Sequence, residues 1–258
     1  MKGLFIFQEP RNEHFKAFHQ SNPLWKLFES FLLEHNHRQG EGGKWTESLN
    51  RFRIGTFTED DLNILKGRVT KDEFLDSNAE HVMFKNKTVT DHNNKMLQSL
   101  KSPEVVLPAF KFPIKGYRYK VNPDTNNIDS TNFKDVLVLK TGARICVTFN
   151  IGTVDGLVNG TSGTVIDFIR NKKENVDAII IDFDQPKFGE YQRKKYKYYL
   201  NPKKHGNGTP ILRHELKYQA SAKGFKTTVE PKILQFPMCL SWASTAHKMQ
   251  VNFSTLLS

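Results

Sequence analysis

Cysteine is scarce in this sequence: two thiols in 258 residues, Cys146 and Cys239, far apart and each inside an apolar stretch. Neither a disulfide framework nor a Cys-x-x-Cys zinc site can be built from them, so buried reduced thiols are expected. Long apolar runs are missing too. No stretch approaches the roughly 18–20 residues of a membrane helix. The opening MKGLFIFQEPRNEH meets charge too early for a secretory signal. Asn-x-Ser/Thr triplets such as those at Asn86, Asn159 and Asn207 therefore carry little weight as glycosylation sites. A phosphate cradle is absent as well. Its pattern, G-x-x-x-x-G-K-[ST], wraps phosphates with glycine amides and adds Lys and a hydroxyl. The nearest string, RQGEGGKW, has Trp45 after Gly43-Lys44 and no leading glycine at the right distance. Without that loop, the strand IIIDFD (Ile179–Asp184) reads as a barrel strand with a polar turn rather than a Walker B strand. No Gly-x-Ser-x-Gly elbow or Cys–His nucleophile is visible. His35 and His37 lack a third ligand in register, so no metal site is expected.

What is present is positive charge. The chain carries a net +11 with a pI near 9.5, which favours a polyanionic partner. Twelve Lys/Arg and three acidic residues lie between Pro186 and Lys232, so nine of the excess charges fall in that segment. Arg193, Lys194 and Lys195 stand at its centre, interleaved with Tyr191, Tyr196, Tyr198 and Tyr199. Cations for phosphates and flat rings for bases are what a nucleic-acid surface needs; a solvated basic loop is the alternative. A hydrophobic fraction of 38% with 20 Phe argues for a folded chain.

Apolar periodicity predicts a helix over 23–39, with Trp25, Leu27, Phe28, Phe31 and Leu32 on one face. A second short helix runs from Trp45 to Phe52 with Thr46 as its cap. Thr58 caps a third, whose Leu62 and Leu65 face inward and which Arg68 closes. The strand His81–Phe84 followed by the helix TVTDHNNKMLQSL is a βα unit, which makes this region α/β. Residues 101–134, rich in Pro, Asn and Lys, read as a long connection. From Asp135 the chain turns to short strands (DVLVLK, ARICVTFNI, SGTVIDFI, DAIIIDF), the rhythm of a small antiparallel barrel. KILQFPMCLSWASTAHKMQ is a final apolar stretch ending in Ser244 to Gln250, where hydroxyls, an imidazole, a cation and an amide follow one another. A strand delivering such groups to a turn suits phosphate-backbone contacts; a frayed polar end is the other reading.

Four blocks carry a resemblance. QFPMCLSWASTAHKMQ resembles the QFPLxLAWAxTIHKSQG signature of the Pif-type 5′-to-3′ DNA helicases of superfamily 1. LKTGARICVTFNIGTVDGLVNGTSGTV is similar to their LKxGAxVMLxxNI…GLVNGxxGxV element. LLEHNHRQ with WTESLNRFRIGTFTEDDLNILKGRV, and FKNKTVTDHNNKML, resemble two further family stretches. The blocks occur in family order over about residues 24–250.

The resemblance implies an α/β fold: an incomplete second RecA-like lobe, of the P-loop NTPase type, with an inserted SH3-like β-barrel. It implies a division into 1–22 as an N-terminal remnant, 23–134 as the first segment of the lobe, 135–233 as the barrel with its basic segment 186–232, and 234–258 as the return to the lobe. Intact enzymes of this kind hold ATP and Mg²⁺ between two lobes and move single-stranded DNA, in DNA repair and telomere maintenance. By resemblance Arg38 and Gln39 face the ATP γ-phosphate, where an arginine neutralises charge during phosphoryl transfer. Asn86, Thr245, His247, Lys248 and Gln250 then contact single-stranded DNA, together with Arg193, Lys194 and Lys195. For Asn86, capping of the following helix is an equal alternative. Asn159 and Gly160 make a turn, and Gly163 is structural.

The chain also departs from the pattern. The family's first lobe, with its Walker A and B elements, has no counterpart here, so no cofactor is expected for this chain alone and ATP hydrolysis would require a separate first RecA-like lobe. HKSQG reads HKMQV, with Met249 for Ser and Val251 for Gly, and Val disfavours φ > 0. A truncated gene product is one expectation, a non-enzymatic nucleic-acid-binding remnant another. The family resemblance places the protein in the nucleus or mitochondrion, with no membrane partner.

Overall fold

The computed structural model describes residues 29, 43–69, 79–112, 119–128, 131–217 and 232–246. The expected helix over 23–39, with His35, His37, Arg38 and Gln39, lies outside them apart from residue 29, as do His247, Lys248 and Gln250. The chain divides into two compact units, Met1–Phe74 and Leu75–Ser258.

In the first unit, α1 (Lys44–Ile54) and α2 (Glu59–Lys66) are helices. Thr46 does not cap α1; Gly43 stands at the cap position and no side chain bonds there. Thr58 does cap α2, and its partner at the third helical position is Asp61, so each side chain satisfies the other's backbone N–H. Asp61 is the buried residue of α2, while Leu65 is exposed, the reverse of the expectation from apolar spacing. A carboxylate goes inside because it is fully partnered. It accepts from Arg51 Nε (2.8 Å) and Nη2 (2.6 Å), Ser48 Oγ (2.6 Å) and Thr58 N (2.8 Å). Those donors, Arg51 foremost, hold its carboxyl far below the usual range.

The second unit begins with the expected βα pair, β1 (His81–Met83) and α3 (Asn86–Ser99). The stretch 101–134, expected as a connection, instead contains two strands, β2 (Val105–Pro108) and β3 (Phe110–Phe112). They are short, and β2 is specified by its partner β4 (Val136–Leu139), with Val105 opposite Leu139 and Leu107 opposite Leu137. Next come β5 (Arg144–Val147), β6 (Ser162–Arg170) and β7 (Val176–Phe183). The basic segment holds α4 (Glu190–Lys195), a 3-10 turn (Lys197–Tyr199), α5 (Pro202–His205), β8 (Thr209–Leu212) and β9 (His214–Lys217). The last apolar stretch, broken at Pro237, gives β10 (Lys232–Gln235), β11 (Met238–Leu240) and β12 (Ala243–Thr245).

The main sheet is antiparallel in the order β11-β5-β6-β7-β8; β3-β10-β9 forms a second sheet, β2-β4 a ribbon, and β1 pairs parallel to β12. Among the described residues no strand pairing closes the main sheet into a barrel: β11 and β8 remain its edges. IIIDFD is β7, flanked on both sides by antiparallel strands. Its Ile179, Ile180 and Ile181 are fully buried, each contributing about 1.5–3 kcal/mol by area removed from water. Ile179 and Ile181 face a core shared with Leu97 of α3, Leu107, Leu137, Ile145 and Phe236, and Ile180 lies under Gly208. Gln235, also fully buried, satisfies its amide by donating to the carbonyls of Leu107 (2.9 Å) and Lys134 (3.1 Å) and accepting from Phe236 N and Arg213. Four segments are thereby pinned by one side chain. No helix among the described residues is long and apolar enough to cross a membrane.

Candidate nucleic-acid groove

α3 starts at Asn86 because the Lys85 carbonyl accepts the first helical bond, from Val89 N. Lys85 holds the cap position and no side chain caps the helix. The capping alternative for Asn86 therefore does not occur; its side chain is exposed at the first turn. Along the same helix Asn93 is buried and holds the chain that leads into β12. Its Oδ1 accepts from Trp242 N (3.0 Å) and Ala243 N (2.8 Å), and its Nδ2 donates to the Ala243 carbonyl (3.0 Å). This amide fixes β12 beside β1, in a register that sets Met83 opposite Thr245.

The consequence is a groove of about 470 Å³ along which Asn86, Val89, Thr90, Asn93 and Asn94 of α3 face Ser244 and Thr245 of β12. Two sequence-predicted DNA residues from opposite ends of this unit, Asn86 and Thr245, are brought to one cleft. Its other wall comes from Thr125–Asn127, Lys134 and β4. Asn126 adopts φ 56 and donates through its side chain to the Val136 carbonyl at 2.8 Å, while Lys134 Nζ donates to the Thr125 carbonyl. Amides and hydroxyls share this lining with valine, leucine and cysteine side chains, and Lys134 is its one charged residue among those described. Such a surface can hydrogen-bond sugar, phosphate and base edges. Between β1 and α3, the His81 and His92 rings lie 4.5 Å apart, and burial, with His81 and Lys95 adding to it, pushes the His92 imidazole below its ordinary value.

The basic segment is built differently. Asp155 accepts from Tyr191 N (2.8 Å) and Gln192 N (2.9 Å), anchoring the start of α4. Arg193 spends its guanidinium on the chain itself, donating to the carbonyls of Phe188 (2.6 Å) and Pro186 (2.9 Å) and to Thr209 Oγ1 (2.8 Å). Lys194 pairs with Glu190 at 2.8 Å, and Lys195 lies 5.1 Å over the Tyr196 ring. Tyr198 packs on Tyr199 at 4.5 Å, and Tyr191 and Tyr198 remain largely exposed. Further along, the His205 ring is buried, accepting at Nδ1 from Asn201 N and meeting Asp167 at 2.9 Å through Nε2. Burial pushes the Asp167 carboxyl up, but Lys204 and His205 outweigh it and hold it low.

The turn residues are placed as follows. Gly160 has φ 95, and Asn159 N donates to Asn150 Oδ1 at 2.8 Å. At Gly163 the backbone of β7 comes so close that a Cβ would lie 2.6 Å from the Asp182 carbonyl oxygen. Asn93 and Gln235 are not singled out by sequence reasoning, although both sit inside the blocks that carry the resemblance. Among the described residues no group of three His, Cys, Asp or Glu side chains could hold a metal ion. The residues that resemblance places at the ATP γ-phosphate, Arg38 and Gln39, lie outside those described.

No protein-family model matches the chain, and no curated protein does. Solved structures do. Bacteroides sp Pif1 in complex with ADP-AlF4 matches at TM-score 0.54 and 20% identity, over 83% of this chain and 41% of that one. The Candida albicans Pif1 helicase matches at 0.52 and 21%, over 84% and 46%. A structure of two coordinating Pif1 helicases at forked dsDNA matches at 0.50 and 20%, over 84% and 40%. The chain thus spans less than half the length of these Pif1 helicases, and its mixed α/β fold is that of a part of them.

Proposed function

We propose that this chain is the second RecA-like lobe, with an SH3-like insertion, of a Pif-type 5′-to-3′ DNA helicase, and that the groove between α3 and β12 carries single-stranded DNA. One observation bears most of the weight: Asn86 and Thr245, assigned to DNA on separate sequence blocks, line one cleft. The fold likeness to a part of helicases that unwind forked dsDNA supports the same reading. In this scheme Asn86 and Thr245 hydrogen-bond the DNA backbone, His247, Lys248 and Gln250 extend that track, and Arg193, Lys194, Lys195 and the neighbouring tyrosines supply a second, electrostatic surface. Arg38 and Gln39 face a nucleotide held with Mg²⁺ mainly by a separate first lobe. The setting is the nucleus or mitochondrion.

The two surfaces differ in their response to salt. A groove whose described lining holds one cation releases few counterions, whereas the basic segment releases several, with a slope of about −0.7 per neutralised phosphate on single strands. Fluorescence anisotropy with a labelled oligodeoxythymidylate measures both. Replacing Asn86 and Thr245 together by alanine is expected to lower affinity about tenfold and leave the salt slope unchanged. Replacing Lys194 and Lys195 by alanine is expected to flatten the slope. A flat titration of the unaltered chain at low salt would remove the reading. So would ATP turnover by the chain alone, since it holds no P-loop.

A further inference from the structure

Cys146 and Cys239, the only thiols in the chain, are cross-strand neighbours. β11 pairs antiparallel with β5 so that Cys239 stands directly opposite Cys146, and the two sulfurs lie 3.7 Å apart. Thr148 N donates to the Pro237 carbonyl and Ser241 N to the Arg144 carbonyl. By the two-residue period of the ladder, Cys146 and Cys239 form a pair of the hydrogen-bonded type between them. Such pairs hold their Cα atoms about 5.5 Å apart, inside the range of about 4.4–6.8 Å that a disulfide spans. Both residues are buried, at 5% and 6% exposure, yet both line the groove, which gives a small oxidant its path.

We infer that Cys146 and Cys239 form a dithiol oxidation site, converted to an intramolecular disulfide by a hydroperoxide. One thiolate attacks the terminal peroxide oxygen, breaking the O–O bond, so that the sulfur becomes a sulfenic acid and an alcohol or water leaves. The second thiolate then attacks that sulfur, an S–S bond forms, and the hydroxyl departs as water after taking up a proton. In total two thiols are oxidised by two electrons and one hydroperoxide is reduced. Closing the pair means bringing sulfurs at 3.7 Å to about 2.05 Å, a movement available to side-chain rotation plus a small approach of the strands. The neighbour stands ready, so the second step outruns further oxidation of the sulfenic acid. The bond would tie β5 to β11 at Cys239, four residues before β12 begins at Ala243, and so act on the lining of the groove. The chemistry itself does not depend on what the groove binds.

The test is thiol alkylation and peptide mapping of the native chain after graded hydrogen peroxide. Both thiols are expected to disappear together, at equal rates, with a Cys146–Cys239 linked peptide in a monomeric chain and full recovery on dithiothreitol. In Cys239→Ser the sulfenic acid on Cys146 loses its trap, and labelling by a dimedone probe should rise at least tenfold over the unaltered chain. Two outcomes overturn the inference: thiols that stay alkylatable after unfolding once treated, or oxidation found only as intermolecular disulfides or sulfinic acids. Because the native chain is read directly, the test holds even where the serine variant is unstable.

Discussion

Replacing Asn93 by alanine is the sharpest test of how the groove is held. The side chain makes three hydrogen bonds of 2.8–3.0 Å to the backbone of Trp242 and Ala243, and Ala243 is 1% exposed. Each such bond is worth about 1 kcal/mol net, and each buried group left without a partner costs about 1–3 kcal/mol. Asn93→Ala should therefore destabilise by at least about 3 kcal/mol, or roughly 6–12 °C in Tm for a unit of this size. Thermal unfolding gives the total. Amide hydrogen exchange at Ala243–Thr245 gives the location, with the largest rise in rate there. Should that variant melt within about 1 kcal/mol of the unaltered chain, or lose protection no faster in β12 than in β7, the view of Asn93 as the clamp on β12 is wrong.

Gly163→Ala should cost at least about 1–3 kcal/mol by overpacking, because the added carbon meets the Asp182 carbonyl at 2.6 Å and the Phe183 Cα at 3.0 Å, neither able to step aside; Gly152→Ala, in the same unit and meeting only the Asp155 Cβ at an ordinary 3.5 Å, is the control, and equal stability of the two variants by urea titration would refute this. Acid should undo the first unit. Arg51, Ser48 and Thr58 hold the Asp61 carboxyl below its unfolded value, so their stabilisation is complete above the unfolded pKa of about 3.9 and drains away as pH falls below it. Helical circular dichroism from pH 6 to pH 2 should show a component missing in Asp61→Asn, and superimposable curves would contradict the assignment.

Local signals in the sequence suffice where one element decides its own form. The βα pair at 81–99 and the run of strands from Asp135 follow from apolar runs bounded by turn residues, and Thr58 behaves as a cap because its partner lies three residues away. Elements that depend on a distant partner are not legible. β2 and β3 are three or four residues long and exist through β4 and β10, so nothing inside 101–134 announces them. Leu65 and Asp61 exchange their expected places because an ion pair with Arg51, on another helix, outweighs apolar spacing. At the groove, resemblance points to Asn86 and Thr245 but passes over Asn93, since a buried helical asparagine looks like an ordinary polar position. That Arg193 also ties the carbonyls of Phe188 and Pro186 and the Thr209 hydroxyl together is not visible in its sequence neighbourhood. The thiols, 93 positions apart, meet only once the strands are paired.

The parallel pairing of β1 with β12 has a consequence for synthesis on the ribosome. The α3 wall of the cleft is translated early, yet its opposite rim, Ser244 and Thr245, emerges some 150 residues later. Until then Asn93 has nothing to grip and β1 lacks its neighbour. A nascent chain could complete most of its antiparallel sheet beforehand, so the cleft closes after the elements that lie between its two walls, and loop closure over that span makes it slow as well as late.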